Sequence, residues 1–143
     1  MTGDGRYALD TSVAIPLLVA SHEAHDEVSA WADGRSLCLS GHALAEAYAV
    51  LTRLPGDARL APADAVALID DNFPKNLALP PELARGAHAE LARLGICGGA
   101  TYDGLVALTA RAHGVPLVTR DARARPTYEA VGGQLKVLGG PRR

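Results

Sequence analysis

Aromatic side chains are scarce in this 143-residue chain: one Phe, one Trp and four Tyr, 4% in all. A core built on stacked rings is excluded, and Leu, Val and Ala must fill the interior. Cysteine is nearly absent as well. Cys38 and Cys97 lack any metal-ligand spacing, so the chain does not read as a zinc module. Cys38 sits within the apolar stretch Ser36-Leu37-Cys38-Leu39-Ser40, where a reduced, buried thiol is expected, and a cytoplasmic protein with it. No apolar run approaches the ~20 residues of a membrane span. The opening Met1-Thr2-Gly3-Asp4-Gly5 has no basic n-region and no apolar h-region, so no signal peptide is read. Nucleotide-cradling motifs are missing too. Gly95-Ile96-Cys97-Gly98-Gly99 lacks the spacing of a dinucleotide-binding turn, and no P-loop occurs.

What is present is a globular composition, with 48% hydrophobic and 21% charged residues. The length suits one domain, residues 1–143. Two short apolar runs, Arg6-Tyr7-Ala8-Leu9-Asp10 and Val115-Pro116-Leu117-Val118-Thr119-Arg120-Asp121, read as strands that stop on an aspartate. Further strands are predicted at 37–39, 76–79 and 134–138. Helical spacing covers 13–20, 22–33, 42–54, 62–73, 81–94 and 101–113, with a short turn or helix at 127–131. Strands alternating with helices predict an α/β/α sandwich around a central, mostly parallel sheet.

Net charge is −2, which excludes a generally basic nucleic-acid binder. Its distribution is uneven. From Arg120 onward, six bases (Arg120, Arg123, Arg125, Lys136, Arg142 and Arg143) face two acids, Asp121 and Glu129. A basic final third beside an acidic body is able to hold a phosphate backbone, or is simply a solvated tail.

Strand ends of a parallel sheet gather at one edge, where ligands bind. Asp10 and Asp121 are carried there, and Glu46 and Asp103 sit on segments that read as helices. Clustered carboxylates raise one another's pKa, and a hard divalent cation with oxygen ligands relieves them. Each acid also has an ordinary explanation. Asp10 suits a helix N-cap, Asp103 a first turn and Asp121 a strand-terminal turn. Glu46 lies in Ala43-Leu44-Ala45-Glu46-Ala47-Tyr48-Ala49-Val50-Leu51, apolar nearly all round, so this helix is predicted to be largely buried. There Glu46 needs a polar pocket or a partner such as Arg53 or His42. Tyr48 and Tyr102, which flank two of the acids, are assigned to the core.

The segments Leu9-Asp10-Thr11-Ser12-Val13, Ala45-Glu46-Ala47-Tyr48-Ala49-Val50-Leu51, Tyr102-Asp103-Gly104-Leu105-Val106-Ala107 and Leu117-Val118-Thr119-Arg120-Asp121 resemble, in order and spacing, the four acidic motifs of the PIN domain. Within that family the chain most resembles the VapC toxins of VapBC toxin–antitoxin pairs. Leu51-Thr52-Arg53-Leu54-Pro55, Asp71-Asn72-Phe73-Pro74 and Thr127-Tyr128-Glu129-Ala130 add to the likeness. The resemblance implies a Mg²⁺- or Mn²⁺-dependent endoribonuclease, usually a homodimer, held inactive by a cognate VapB-like antitoxin. Carried over by position, Asp10, Glu46, Asp103 and Asp121 are the catalytic and metal-site acids, supported by Thr11 or Ser12 and by Thr119. Some members carry a further acid after the fourth; here Ala122 stands there.

Arg120 and Arg123 are the expected substrate-binding cations, acting on RNA phosphates. The apolar segment from Val13 to Trp31 is expected to lend surface to the antitoxin or a second copy. A haloacid-dehalogenase reading would want a second aspartate where Ser12 stands, and a receiver-domain reading lacks its paired N-terminal acids. The reading of a different class is a non-catalytic, PIN-like module that docks a protein partner.

Overall fold

The computed structural model describes residues 5–139. Arg142 and Arg143 of the basic tail lie outside that range. Four short strands form one sheet: β1 (Arg6–Leu9), β2 (Ser36–Leu39), β3 (Leu117–Thr119) and β4 (Leu135–Val137), in the order β2-β1-β3-β4. Every pairing is parallel, with Leu9 opposite Leu39 on one side and Val118 on the other. The predicted strand at 76–79 is reduced to one parallel bridge between Leu77 and Ser40, beyond β2.

Alternation along the strands sorts residues to two faces. Leu9, Leu39 and Val118 point into one apolar cluster, formed with α1 (Thr11–Leu18), α2 (His25–Ala32), much of α3 (His42–Leu51) and α4 (Pro62–Asn72). Ala8, Cys38 and Leu117 point into the other, formed with α6 (Ala87–Arg93), α7 (Ala100–His113) and α8 (Arg125–Val131). This is the expected α/β/α layering around a parallel sheet. Helix α5 (Pro81–Arg85) precedes α6 and buries no residue fully.

Several elements differ from the sequence reading. The single helix expected over 81–94 is broken at Gly86, whose φ of −104° and ψ of 7° cap α5 and open α6. Glycine inside a helix costs ~1 kcal/mol against alanine, and here the chain turns at it. Helix α1 begins at Thr11, so Pro16 is in its interior rather than near its first turn. Proline cannot donate to the carbonyl one turn back, and α1 stops within three residues. The Pro16 carbonyl is taken instead by the His25 ring, 2.8 Å away, which ties α2 to α1. The segment before α2 is a turn, in which His22 Nδ1 accepts from the Ala24 N–H.

The order of strands positions the site. From β1 the chain crosses to β2 on one side, then returns to β3 on the other. The β1/β3 junction is thus the switch point of the sheet, where diverging connections leave a crevice beyond the carboxyl ends. Asp10 leaves β1 and Arg120 leaves β3 at that crevice.

Candidate active site

Asp10 is 4% exposed, an uncommon state for a carboxylate. Local structure explains half of it. Asp10 is the N-cap of α1, and its Oδ1 accepts from the Ser12 N–H at 3.0 Å and the Ser12 hydroxyl at 2.5 Å. The tertiary fold supplies the rest. Its Oδ2 accepts from the Thr119 hydroxyl at 2.6 Å, across the β1/β3 junction, and from the Tyr128 hydroxyl at 2.7 Å. Four donors match the roughly four lone-pair positions of a carboxylate. Burial pushes the Asp10 carboxyl above the ordinary range, and these bonds from Ser12, Thr119 and Tyr128 oppose it.

The network also fixes the strand end opposite. Ser12 Oγ accepts from the Arg120 N–H at 2.7 Å, and Thr119 Oγ1 accepts from the Asp121 N–H at 3.0 Å. Asp121 in turn accepts from the Arg123 N–H at 2.9 Å, the side-chain turn expected of an aspartate after a strand. Thr11 opens α1, and no hydrogen bond among the described residues joins its side chain to this network.

Asp103 projects from the first turn of α7. Its carboxyl is raised by burial first, then by the negative charges of Glu46, Asp10 and Asp121, and is partly relieved by Arg123. The charges of Asp10 after β1, Glu46 on α3 and Asp121 after β3 therefore reach Asp103 on α7, although 111 positions separate Asp10 from Asp121. Among the described residues no three His, Cys, Asp or Glu side chains close into a ready metal cage. The acids share a field rather than a cage.

The two predicted phosphate ligands differ. The charge of Arg123 reaches Asp103. The Arg120 guanidinium lies against Gly139, beside the Glu27 carboxylate of α2, with its Nε buried and unpartnered among the described residues.

Helix α3 corrects the sequence reading. It is not largely buried: Ala43, Ala47 and Leu51 form its inner stripe, while Leu44 and Tyr48 are each 37% exposed. Glu46 is half-buried on the opposite flank from them, and pairs with neither Arg53 nor His42 among the described residues. An all-apolar sequence hid the asymmetry, because small alanines are compatible with either side. Tyr102 is exposed as well, so neither tyrosine belongs to the core.

Tyr128 is the residue that sequence reasoning missed. It is buried on α8, and its phenol is pushed far above its ordinary range by burial and by the Asp10 charge, so it stays a donor. Its motif was visible, but nothing in the sequence aims a side chain 118 positions away at Asp10.

The PIN domain family model matches residues 7–130. This chain belongs to the PIN domain family. Two relatives place it on the VapC branch. Ribonuclease VapC27 of Mycobacterium tuberculosis is 54% identical over 125 residues, spanning 87% of this chain and 91% of that protein. Ribonuclease VapC40 of the same organism is 42% identical over 132 residues, 92% of this chain and 98% of the relative. Among solved structures, VapBC-5 of Mycobacterium tuberculosis, a member of the VapBC family of toxin–antitoxin systems, superposes with a TM-score of 0.58 at 18% identity. That match covers 94% of this chain and 100% of the other, and speaks for the PIN fold alone.

The PIN family implies a divalent metal cofactor, and the donor set here fits one. Every candidate ligand is a carboxylate oxygen, the chemistry hard cations take. The repulsion that Glu46, Asp10 and Asp121 exert on Asp103 is what a bound cation relieves. An open arrangement suits a hydrated ion that takes only one or two carboxylates directly.

Proposed function

We propose that this chain is the toxin of a toxin–antitoxin pair, an endoribonuclease that hydrolyses RNA phosphodiester bonds with Mg²⁺, or Mn²⁺ in its place. The observation that carries the reading is the buried Asp10, held by four donors at the switch point of the sheet and coupled in charge to Asp103. As N-cap of α1 the position needs an acceptor, which a neutral asparagine or serine also supplies. A buried full charge costs more than such a neutral cap, which supports a chemical role for the carboxylate.

Asp10, Glu46, Asp103 and Asp121 are the assigned metal and catalytic acids. When bound, the divalent ion supplies an activated water and stabilises charge on the phosphoryl oxygens. Ser12, Thr119 and Tyr128 fix the Asp10 carboxylate in one orientation. The Arg123 cation offsets charge at Asp103, which supports a role for it in holding a substrate phosphate. His42 is not required as a general base. The partner is a VapB-like antitoxin, and a homodimer on one PIN-like domain is the assembly we assign.

Asp10→Asn keeps the shape and removes the charge. Cleavage of single-stranded RNA with Mg²⁺ should fall at least about a hundredfold, and duplex DNA should not be cut by either form. Undiminished RNase activity in that variant would remove Asp10 from the mechanism. A wild-type protein that binds antitoxin, yet cuts no RNA across a Mg²⁺ and Mn²⁺ titration, would favour the non-catalytic docking module.

A further inference from the structure

Tyr102 stands in the first turn of α7, one residue before Asp103, and is 53% exposed. A tyrosine that open contributes little to the core. Its ring is nevertheless held in place. His42, at the start of α3, stacks on it with centroids 4.9 Å apart and planes 26° from parallel. Both rings rise from the first turns of regular helices.

Its location ties it to the acids. His42 precedes Glu46 by four residues, about one helical turn, and so shares its flank of α3. Tyr102 adjoins Asp103, whose carboxyl feels the charge of Glu46. The stacked rings and two of the four acids therefore form a single rim. Leu44 and Tyr48 occupy the opposite flank of α3 and are not part of it.

We propose that the His42–Tyr102 pair is a stacking platform for an unpaired base of the substrate, next to the phosphate being cut; this rests on the ribonuclease reading. Every base has a π-face, and aromatic platforms bind single strands with little need for charge. The rim needs such a contact. Its carboxylates repel a phosphate backbone, and Arg123 is the cation recorded as relieving Asp103. A base inside a duplex offers no free face, so the platform selects loops and single strands. The same exposure would suit a protein contact, and the test separates the two.

Two readouts are needed. In cleavage of a labelled mixed-sequence single-stranded RNA with Mg²⁺, Tyr102→Ala should raise KM roughly tenfold, more than it lowers kcat, and Tyr102→Phe should restore wild-type KM. On an Asp10→Asn background, fluorescence anisotropy compares that RNA with the same backbone carrying abasic riboses. Tyr102→Ala should weaken binding of the first roughly tenfold and of the second hardly at all. Equal losses on both, or no loss on either, would overturn the platform. So would a Tyr102→Ala variant that turns a dimer into a monomer with its RNA KM unchanged, which would give the rings to a protein interface. If the wild-type protein cuts no RNA, the ribonuclease reading fails by itself, and the abasic comparison still decides whether a base is stacked. A melting curve for each variant confirms that it is folded.

Discussion

At the scale of the residue, Asp10 and Asp103 show two ways of keeping a carboxylate in a half-dry site. Asp10 is compensated by donors. Asp103 is compensated less: burial and the charges of Glu46, Asp10 and Asp121 raise its carboxyl, and Arg123 opposes them. The raised value has a consequence for stability. A raised folded-state pKa means that the folded protein binds more protons than the unfolded one between the two values. The penalty is absent below the unfolded value of 3.8, grows as pH rises, and is complete above the folded value. Asp103→Asn should therefore raise the melting temperature of the metal-free protein at about pH 7, and leave it nearly unchanged at about pH 4. Added Mg²⁺ should stabilise the wild type more than the variant, because only the wild type has that repulsion to relieve. Thermal melts at the two pH values, with chelator or with Mg²⁺, check both statements. A variant less stable at neutral pH would mean that Asp103 serves the fold.

At the scale of the element, the site depends on where helices begin. Gly41 sets the start of α3 with φ 53° and ψ −120°, a conformation in which a side chain is strained. Its close approach to α7 also needs a hydrogen there, because a Cβ would stand 2.5 Å from Thr109 Oγ1 and 3.1 Å from Thr109 Cβ. Thr109 has no room to yield, since it is buried and its hydroxyl bonds the Leu105 carbonyl at 2.8 Å. Gly41→Ala should destabilise the fold by on the order of 2–4 kcal/mol, from strain and overpacking together. It should also shift His42 and Glu46 relative to Tyr102 and Asp103. The measurement is urea unfolding, read beside RNA cleavage at a temperature where the variant is folded. A loss under about 0.5 kcal/mol would show that the contact relaxes cheaply.

At the scale of the whole molecule, the segment from Val13 to Trp31 divides between core and surface, and Leu17, Leu18, Val19 and Trp31 stay partly exposed. Val13, Ala14, Ile15, Pro16 and Val28 are core residues and serve the chain's own folding. The end of α1 belongs to the partly exposed share. Leu18 and Val19, with Leu51, Leu54, Leu60 and Leu68, line an apolar cleft of about 320 Å³. We expect a VapB-like antitoxin to seat an apolar segment there. Leu68 is only half-buried, so Leu68→Asp should fold, keep RNA cleavage, and weaken capture of a purified VapB-like antitoxin by at least about tenfold. Wild-type affinity in that variant, measured by calorimetry, would place the partner elsewhere.

The layered α/β order and the starts of α3, α4 and α5 were legible in the sequence, because they rest on local properties. Apolar runs that end on aspartate, and proline at the head of α4 and α5, act over a few residues. What only the tertiary structure decided are quantities set by distant neighbours. Periodicity alone did not show that Gly86 divides one helix into two, or that Tyr102 faces water, since both depend on what packs alongside. Leu44 and Tyr48 look apolar enough for a core, yet α3 turns only its alanine and Leu51 stripe inward. Above all, Tyr128 meets Asp10 because α8 packs on α7 behind the β1/β3 junction. Sequence carries the types of residue a carboxylate site requires; the crossing of the chain over the sheet decides which of them touch.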